Sequence, residues 1–108
     1  YGLAGLRAMV AHHVELAAAF AARVAADARF ELVAPVRLNL VCFRFRGSDA
    51  ANQQLQRQLN ASGRLFISHT VLAGQHVLRF CVGQGATRAD HVEAAWADIA
   101  AQAAMLDT

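Results

Sequence analysis

The sequence predicts an α+β domain: a four-stranded, largely antiparallel sheet with three helices on one face, in the order α-β-β-α-β-β-α. Three observations carry this. Three segments repeat apolar residues every three or four positions, the period of a helix that buries one face. Four shorter segments read as strands, and two of them alternate residue by residue between faces. Ala73-Gly74 joins the last two strands by a hairpin-type connection. Hairpin partners run antiparallel, and three amphipathic helices then need one shared apolar surface.

Residues Leu3 to Asp27 read as one long helix with Leu6, Val10, Val14, Ala17, Phe20 or Ala21, and Val24 on its apolar stripe. Turn signals resume at Asp27-Ala28-Arg29. Phe30 to Ala34 is a short strand ended by Pro35, which removes a ladder donor. Leu38 to Arg46 places Val41, Phe43 and Phe45 on one side and Cys42, Arg44 and Arg46 on the other. Gly47-Ser48-Asp49 breaks that strand, and Ser48 or Asp49 can N-cap a helix running to about Ser62, with Leu55 and Leu59 on its apolar face and Gly63 as its stop. Strands follow at Arg64 to Leu72 and Gln75 to Val82. After Gly83-Gln84-Gly85, Thr87 to Asp90 has capping-box spacing and opens a last helix with the stripe Val92, Ala95, Trp96, Ile99, Ala103 and Leu106. Val41, Phe43, Phe45, Leu78, Phe80 and Val82 should face the helices. Cys42, Arg44, Arg46, Arg79 and Cys81 should form the open face.

At 108 residues the chain is one domain, and its composition narrows the function classes. It is 56% hydrophobic and only 17% charged, the reverse of a disordered segment. A net charge of +2 is too weak a field for a nucleic-acid binder. So few charges cannot cover a domain surface, which predicts an apolar patch that another domain or subunit covers, with the open sheet face as its natural place. Cys42 and Cys81 lie in apolar runs without disulfide spacing, which fits a reduced, cytoplasmic setting. No secretory signal is expected, and the Ala-rich stretch from Val14 to Ala26 is too short to span a bilayer. All ten basic residues are Arg, so no lysine amine is present to form a Schiff base.

The candidate chemical groups are few. His12 and His13 are adjacent on a helix, about 100° apart, and cannot grip one ion from one face. His69, His76 and His91 lack zinc-ligand spacing, so surface or hydrogen-bonded histidines are the preferred reading. Ser48, Ser62 and Ser68 lie in no nucleophile-elbow context. Gly83-Gln84-Gly85 lacks the third glycine of a dinucleotide loop and reads as a tight turn. Arg79 stands out: mid-strand between Leu78 and Phe80, a half-buried guanidinium requires a partner. It is either a fork for a carboxylate or a structural ion pair, to a neighbouring domain or to an acid in this one, and the structural pair is preferred. Arg44 and Arg46, nearer the strand end, read as solvated or docking charges.

An ordered set of motifs covers essentially the whole chain. Tyr1-Gly2-Leu3-Ala4-Gly5-Leu6 leads into His12-His13-Val14-Glu15-Leu16; Arg29-Phe30-Glu31-Leu32 is followed by Asn39-Leu40-Val41-Cys42-Phe43-Arg44. Then come Ser68-His69-Thr70, Leu72, Gly74, Val77-Leu78-Arg79-Phe80 and His91-Val92-Ala95-Trp96. The set resembles the C-terminal domain of group II pyridoxal-phosphate-dependent decarboxylases, on the aromatic-L-amino-acid decarboxylase branch. The resemblance implies a small C-terminal domain, residues 1–108, of a fold-type-I homodimeric enzyme. A large domain carrying the cofactor lysine would lie upstream of Tyr1 and be absent here. It implies removal of an amino acid's carboxylate as carbon dioxide, with pyridoxal phosphate as electron sink. The partners would be the chain's own large domain, a second subunit and a small amino acid substrate, with no nucleic acid and no membrane. No catalytic, cofactor-binding or metal-binding residue is expected within the 108 residues, which alone should be inactive. Arg79 would have an active-site or domain-docking role. The competing expectation is a free-standing regulatory, ligand-binding or dimerisation module.

Overall fold

The computed structural model describes residues 2–83 and 88–106. It contains α1 (Leu3–Ala26), β1 (Phe30–Leu32), β2 (Leu40–Phe45), α2 (Asp49–Ala61), β3 (Ser68–Leu72), β4 (Gln75–Cys81) and α3 (Ala89–Ala104). The sheet order is β1-β2-β4-β3, and every neighbouring pair is antiparallel. The six helix-facing residues named from alternation, Val41, Phe43, Phe45, Leu78, Phe80 and Val82, are all buried. Above them α1 contributes Leu16, Ala17, Phe20, Ala21 and Val24, α2 contributes Leu55 and Leu59, and α3 contributes Val92, Ala95, Ile99 and Ala103. Phe20 is the hub, its ring centroid 4.3 Å from Phe80, 5.5 Å from Phe43 and 5.9 Å from Trp96. The buried alanines beside it let the helix backbone approach the sheet closely.

Every strand is shorter than alternation suggested, and local hydrogen bonds explain two of the boundaries. β3 starts at Ser68, not Arg64, because the backbone of Ile67 is already engaged by Asn60: its N–H donates to Oδ1 at 2.7 Å and its carbonyl accepts from Nδ2 at 2.9 Å. β2 starts at Leu40, not Leu38, because Arg37 and Leu40 close a tight turn with bonds of 2.9 and 3.2 Å. Leu38 sits at the tip of that turn with φ +52°, a left-handed backbone that side chains other than Gly rarely adopt. β1 ends at Leu32, ahead of Pro35, and β4 ends at Cys81. The β3–β4 turn has Ala73 and Gly74 both at positive φ, +51° and +77°, as a two-residue type I′ hairpin requires.

The helix termini follow local chemistry. Ser48 caps α2, its Oγ accepting the Ala51 N–H at 3.0 Å, and Gly63 supplies the left-handed residue after its C-terminus (φ +74°). For α3 the expected capping box is not the observed start. Thr87 lies outside the described residues, the N-cap is Arg88, and the Asp90 carboxylate takes the Arg88 guanidinium at 3.0 and 3.1 Å. One larger expectation is overturned. Leu6 and Val10, read as core, are exposed, and α1 is buried only from Leu16 onward. The first ten residues of this helix run past the domain, and the molecule is correspondingly long, 48 × 28 × 22 Å. No helix among the described residues is long and apolar enough to cross a membrane.

Candidate functional site

Register defines the open face. β4 is central, and Arg79 stands directly opposite Cys42 on β2 and Ser68 on β3, with Val77 and Cys81 before and after it on the same side. Its flanking residues Leu78 and Phe80 turn to the helices, so the backbone forces the guanidinium onto the opposite face of the sheet. Arg79 is half-buried, and its Nε is shielded from solvent without a hydrogen-bond partner. The pairing with an acid of this chain that the sequence allowed is absent among the described residues. A shielded donor left unsatisfied costs about 1–3 kcal/mol.

Arg44 behaves otherwise, and the expectation of a solvated or docking charge is overturned. It is 5% exposed. Its Nη2 donates to Asp49 Oδ1 at 2.9 Å, its Nη1 to the Gly47 carbonyl at 3.2 Å and its Nε to the His76 carbonyl at 3.5 Å. Asp49 becomes a partner because the Gly47-Ser48 break folds the start of α2 back over the end of β2. The same Oδ1 accepts the backbone N–H of His76 at 3.1 Å. Arg46 is exposed, yet it is tied to Glu31 and to the Phe30 carbonyl.

On the helix side, His69 and His76 stack with centroids 4.6 Å apart, and Gln56 of α2 joins them. Gln56 Nε2 donates to the Ile67 carbonyl at 3.0 Å, which fixes the amide's orientation. Its Oε1 therefore faces His76 Nε2 at 2.9 Å, so that nitrogen carries the proton. Its Nε2 faces His69 Nδ1 at 3.1 Å, so that nitrogen accepts. Burial, with the nearby His69 and Arg44 charges, holds the His76 imidazole below its ordinary value, and Asp49 opposes them. These two histidines are engaged structurally. No group of three or more metal-capable side chains occurs among the described residues.

The remaining candidates disperse. His12 is exposed on α1, and His13 packs toward Gly83, where an added Cβ would lie 3.3 Å from its ring. Cys42 and Cys81 are free thiols on neighbouring strands of the open face. Ser48 and Ser62 serve the ends of α2, Ser62 donating to the Leu59 carbonyl at 2.7 Å. Gln84 and Gly85 lie outside the described residues. Asn52, which the sequence did not single out, is completely buried: Oδ1 accepts the Phe45 N–H at 2.8 Å, and Nδ2 donates to the Phe45 and Ser48 carbonyls at 3.0 Å. Its one sequence signal is its position, four residues after the N-cap serine and one after a buried alanine.

Comparison with known proteins ties this geometry to a family. Residues 1–46 match the pyridoxal-dependent decarboxylase conserved domain. The chain is 42% identical over 106 residues to aromatic-L-amino-acid decarboxylase of Sus scrofa, and 39% identical over 113 residues to tyrosine decarboxylase 2 of Narcissus pseudonarcissus. Each match takes in 98% of this chain but only 22% and 23% of the relative. The fold superimposes on Catharanthus roseus tryptophan decarboxylase, solved in complex with L-tryptophan, with a TM-score of 0.92 at 34% identity, covering 98% of this chain and 24% of that one. The residues present here do not fit the cofactor's covalent attachment, because no lysine occurs in the sequence. In sequence and in fold, the chain matches the small C-terminal domain of group II pyridoxal-phosphate-dependent decarboxylases.

Proposed function

We propose that these 108 residues serve as the small domain of a cytoplasmic, homodimeric decarboxylase acting on aromatic L-amino acids. The observation that carries this is the match over 98% of the chain to enzymes named for tyrosine and aromatic L-amino acids, of which it spans less than a quarter. Cofactor attachment and the carbon–carbon bond cleavage belong to the rest of such an enzyme, since this chain brings no lysine. Its own contribution is a wall. The open sheet face turns toward the larger part of the polypeptide, and Arg79 offers its unsatisfied Nε to a carboxylate there. That carboxylate belongs to the protein rather than to the substrate, because clamping the substrate's carboxylate in a strong ion pair would stabilise the ground state against its departure. Arg79 is thus a positioning residue.

The test is carbon dioxide release from L-tyrosine, L-tryptophan and related amino acids by the complete polypeptide carrying this chain. The 108 residues alone should show none, and pyridoxal phosphate added to them should give no lysine-type absorbance band. Release from an acidic amino acid in preference to all aromatic ones would overturn the substrate class. Arg79→Ala in the complete enzyme should lower turnover, with partial rescue by Arg79→Lys. Unchanged turnover together with lowered stability would assign Arg79 a purely structural role.

A further inference from the structure

We infer that Gln56, His69 and His76 form a proton-sensitive latch. It fastens the outer strand β3 to α2 while both imidazoles are neutral and releases it when the pair takes up a proton. β3 lies at the edge of the sheet and pairs with β4 on one side only. On the helix side two amides of α2 hold its approach: Asn60 and Gln56 both donate to the Ile67 carbonyl, at 2.9 and 3.0 Å. Gln56 also reaches along the hairpin, to His69 on β3 and His76 on β4. The register pairs His69 with Leu78 and Val71 with His76, so the two imidazoles stand diagonally on neighbouring strands. Their rings stack there at 4.6 Å and 20°.

Each hydrogen bond of Gln56 has a fixed direction, and that makes the cluster sensitive to a single proton. The Ile67 carbonyl can only accept, so Gln56 must present Nε2 to it; turned over, Oε1 would meet that carbonyl, acceptor against acceptor. With the amide so pinned, His69 Nδ1 has to bring a lone pair to Gln56 Nε2. A proton on that nitrogen would face a donor at 3.1 Å, so a charged His69 leaves both the amide and the stack. His69 is exposed and can swing into water without disturbing the core. The alternative position, Nδ1 of His76, keeps the Gln56 bond but puts the charge on a ring that is only 8% exposed, which burial opposes. The charged groups facing this pair come from two further elements. Asp49 at the start of α2 takes the His76 backbone N–H on Oδ1 at 3.1 Å, and Arg44 of β2 donates to that same oxygen at 2.9 Å. The acid is thus already paired and compensates little for a charge on His76. Arg57, next to Gln56 along α2, is exposed. The proton therefore goes with the open arrangement, in which His69 stands free in water.

Amide hydrogen exchange across Phe66–Leu72 tests this, read by mass spectrometry in the complete polypeptide carrying this chain and divided by the intrinsic rate at each pH. A released histidine takes its proton at about pH 6.5. Opening linked to one proton should therefore speed exchange of this segment about fourfold at pH 6 and about tenfold at pH 5.5, relative to pH 8. Exchange at Phe20–Val24, in the core, should not respond. His69→Phe keeps a ring that can stack but takes no proton, and it should flatten the response. Gln56→Glu replaces the donor opposite His69 with a group that only accepts, so a charged His69 becomes its preferred partner. In that variant the segment should exchange more slowly at pH 6 than at pH 8, the reverse of wild type. Exchange that is constant from pH 8 to pH 5.5 overturns the inference, as does a full response in His69→Phe or a response of unchanged sign in Gln56→Glu. An equal response at Phe20–Val24 overturns it as well, because the proton would then be loosening the whole domain rather than one strand.

Discussion

Replacing Asn52 with alanine removes a side chain that extends the ladder of β2 where its pairing with β4 runs out. The register pairs Phe43 with Leu78, and beyond it the backbone of Phe45 turns not to another strand but to the Asn52 amide. Three hydrogen bonds disappear, but the groups left behind fare differently. The Phe45 carbonyl still accepts from the Gly47 N–H at 2.8 Å, and the Ser48 carbonyl from the Asn52 backbone N–H at 3.2 Å. The Phe45 N–H loses its side-chain acceptor at a completely buried site. Two bonds to groups that keep a partner contribute about 1 kcal/mol each, and one orphaned buried donor costs about 1–3 kcal/mol, so the loss should be about 3–5 kcal/mol. A domain of this size holds roughly 5–15 kcal/mol in total, so the variant should fold but melt more than about 10 °C lower. Urea and thermal unfolding followed by circular dichroism measure this, with exposed Gln53→Ala as the reference for helix propensity alone. A loss below about 1 kcal/mol would refute the assignment of Asn52 as a ladder extension and mean that water replaces it freely.

Further outcomes are expected. The His76 imidazole titrates below the 6.5 of an unperturbed histidine, so the unfolded chain binds more protons on acidification. Its contribution to stability is complete above about pH 6.5 and declines as pH falls toward the folded value. The difference between wild type and His76→Gln in unfolding free energy, measured from pH 8 down to pH 5, should therefore shrink below pH 6.5. A difference that grows on acidification would contradict the sign. Ala73→Asn places the residue that tolerates positive φ at the first position of the type I′ turn and should raise stability by about 0.5–1 kcal/mol in urea unfolding. Any destabilisation would show that the turn is not strained.

The faces of the elements were readable because burial on a helix or strand repeats with the period of its own backbone. Val41, Phe43 and Phe45 on one strand, and Leu55 and Leu59 on one helix, point where their spacing says. Element ends were less readable. Asn60 holds the Ile67 backbone away from β3, and Asn52 takes over the Phe45 backbone from β4, each through a side-chain amide that periodicity does not register. The stripe on α1 exposes a different limit. Leu6 and Val10 follow the same pattern as Phe20 and Val24, but a repeat records only that a face is apolar and is silent on whether its cover lies in the same chain.

Arg44 and Arg79 separate what the amino-acid order determined from what the tertiary structure decided. Both are arginines set among apolar residues on a strand, and alternation alone puts both on the open face; that much is local geometry. Which one is satisfied is not local. The strand break at Gly47-Ser48 carries Asp49 back over the end of β2, so Arg44 closes an internal pair at 2.9 Å, while no acid among the described residues pairs with Arg79 at the centre of the open face and its Nε stays unpaired. A guanidinium's role depends on which carboxylate reaches it through space, and that distance is a property of the folded molecule rather than of spacing along the chain.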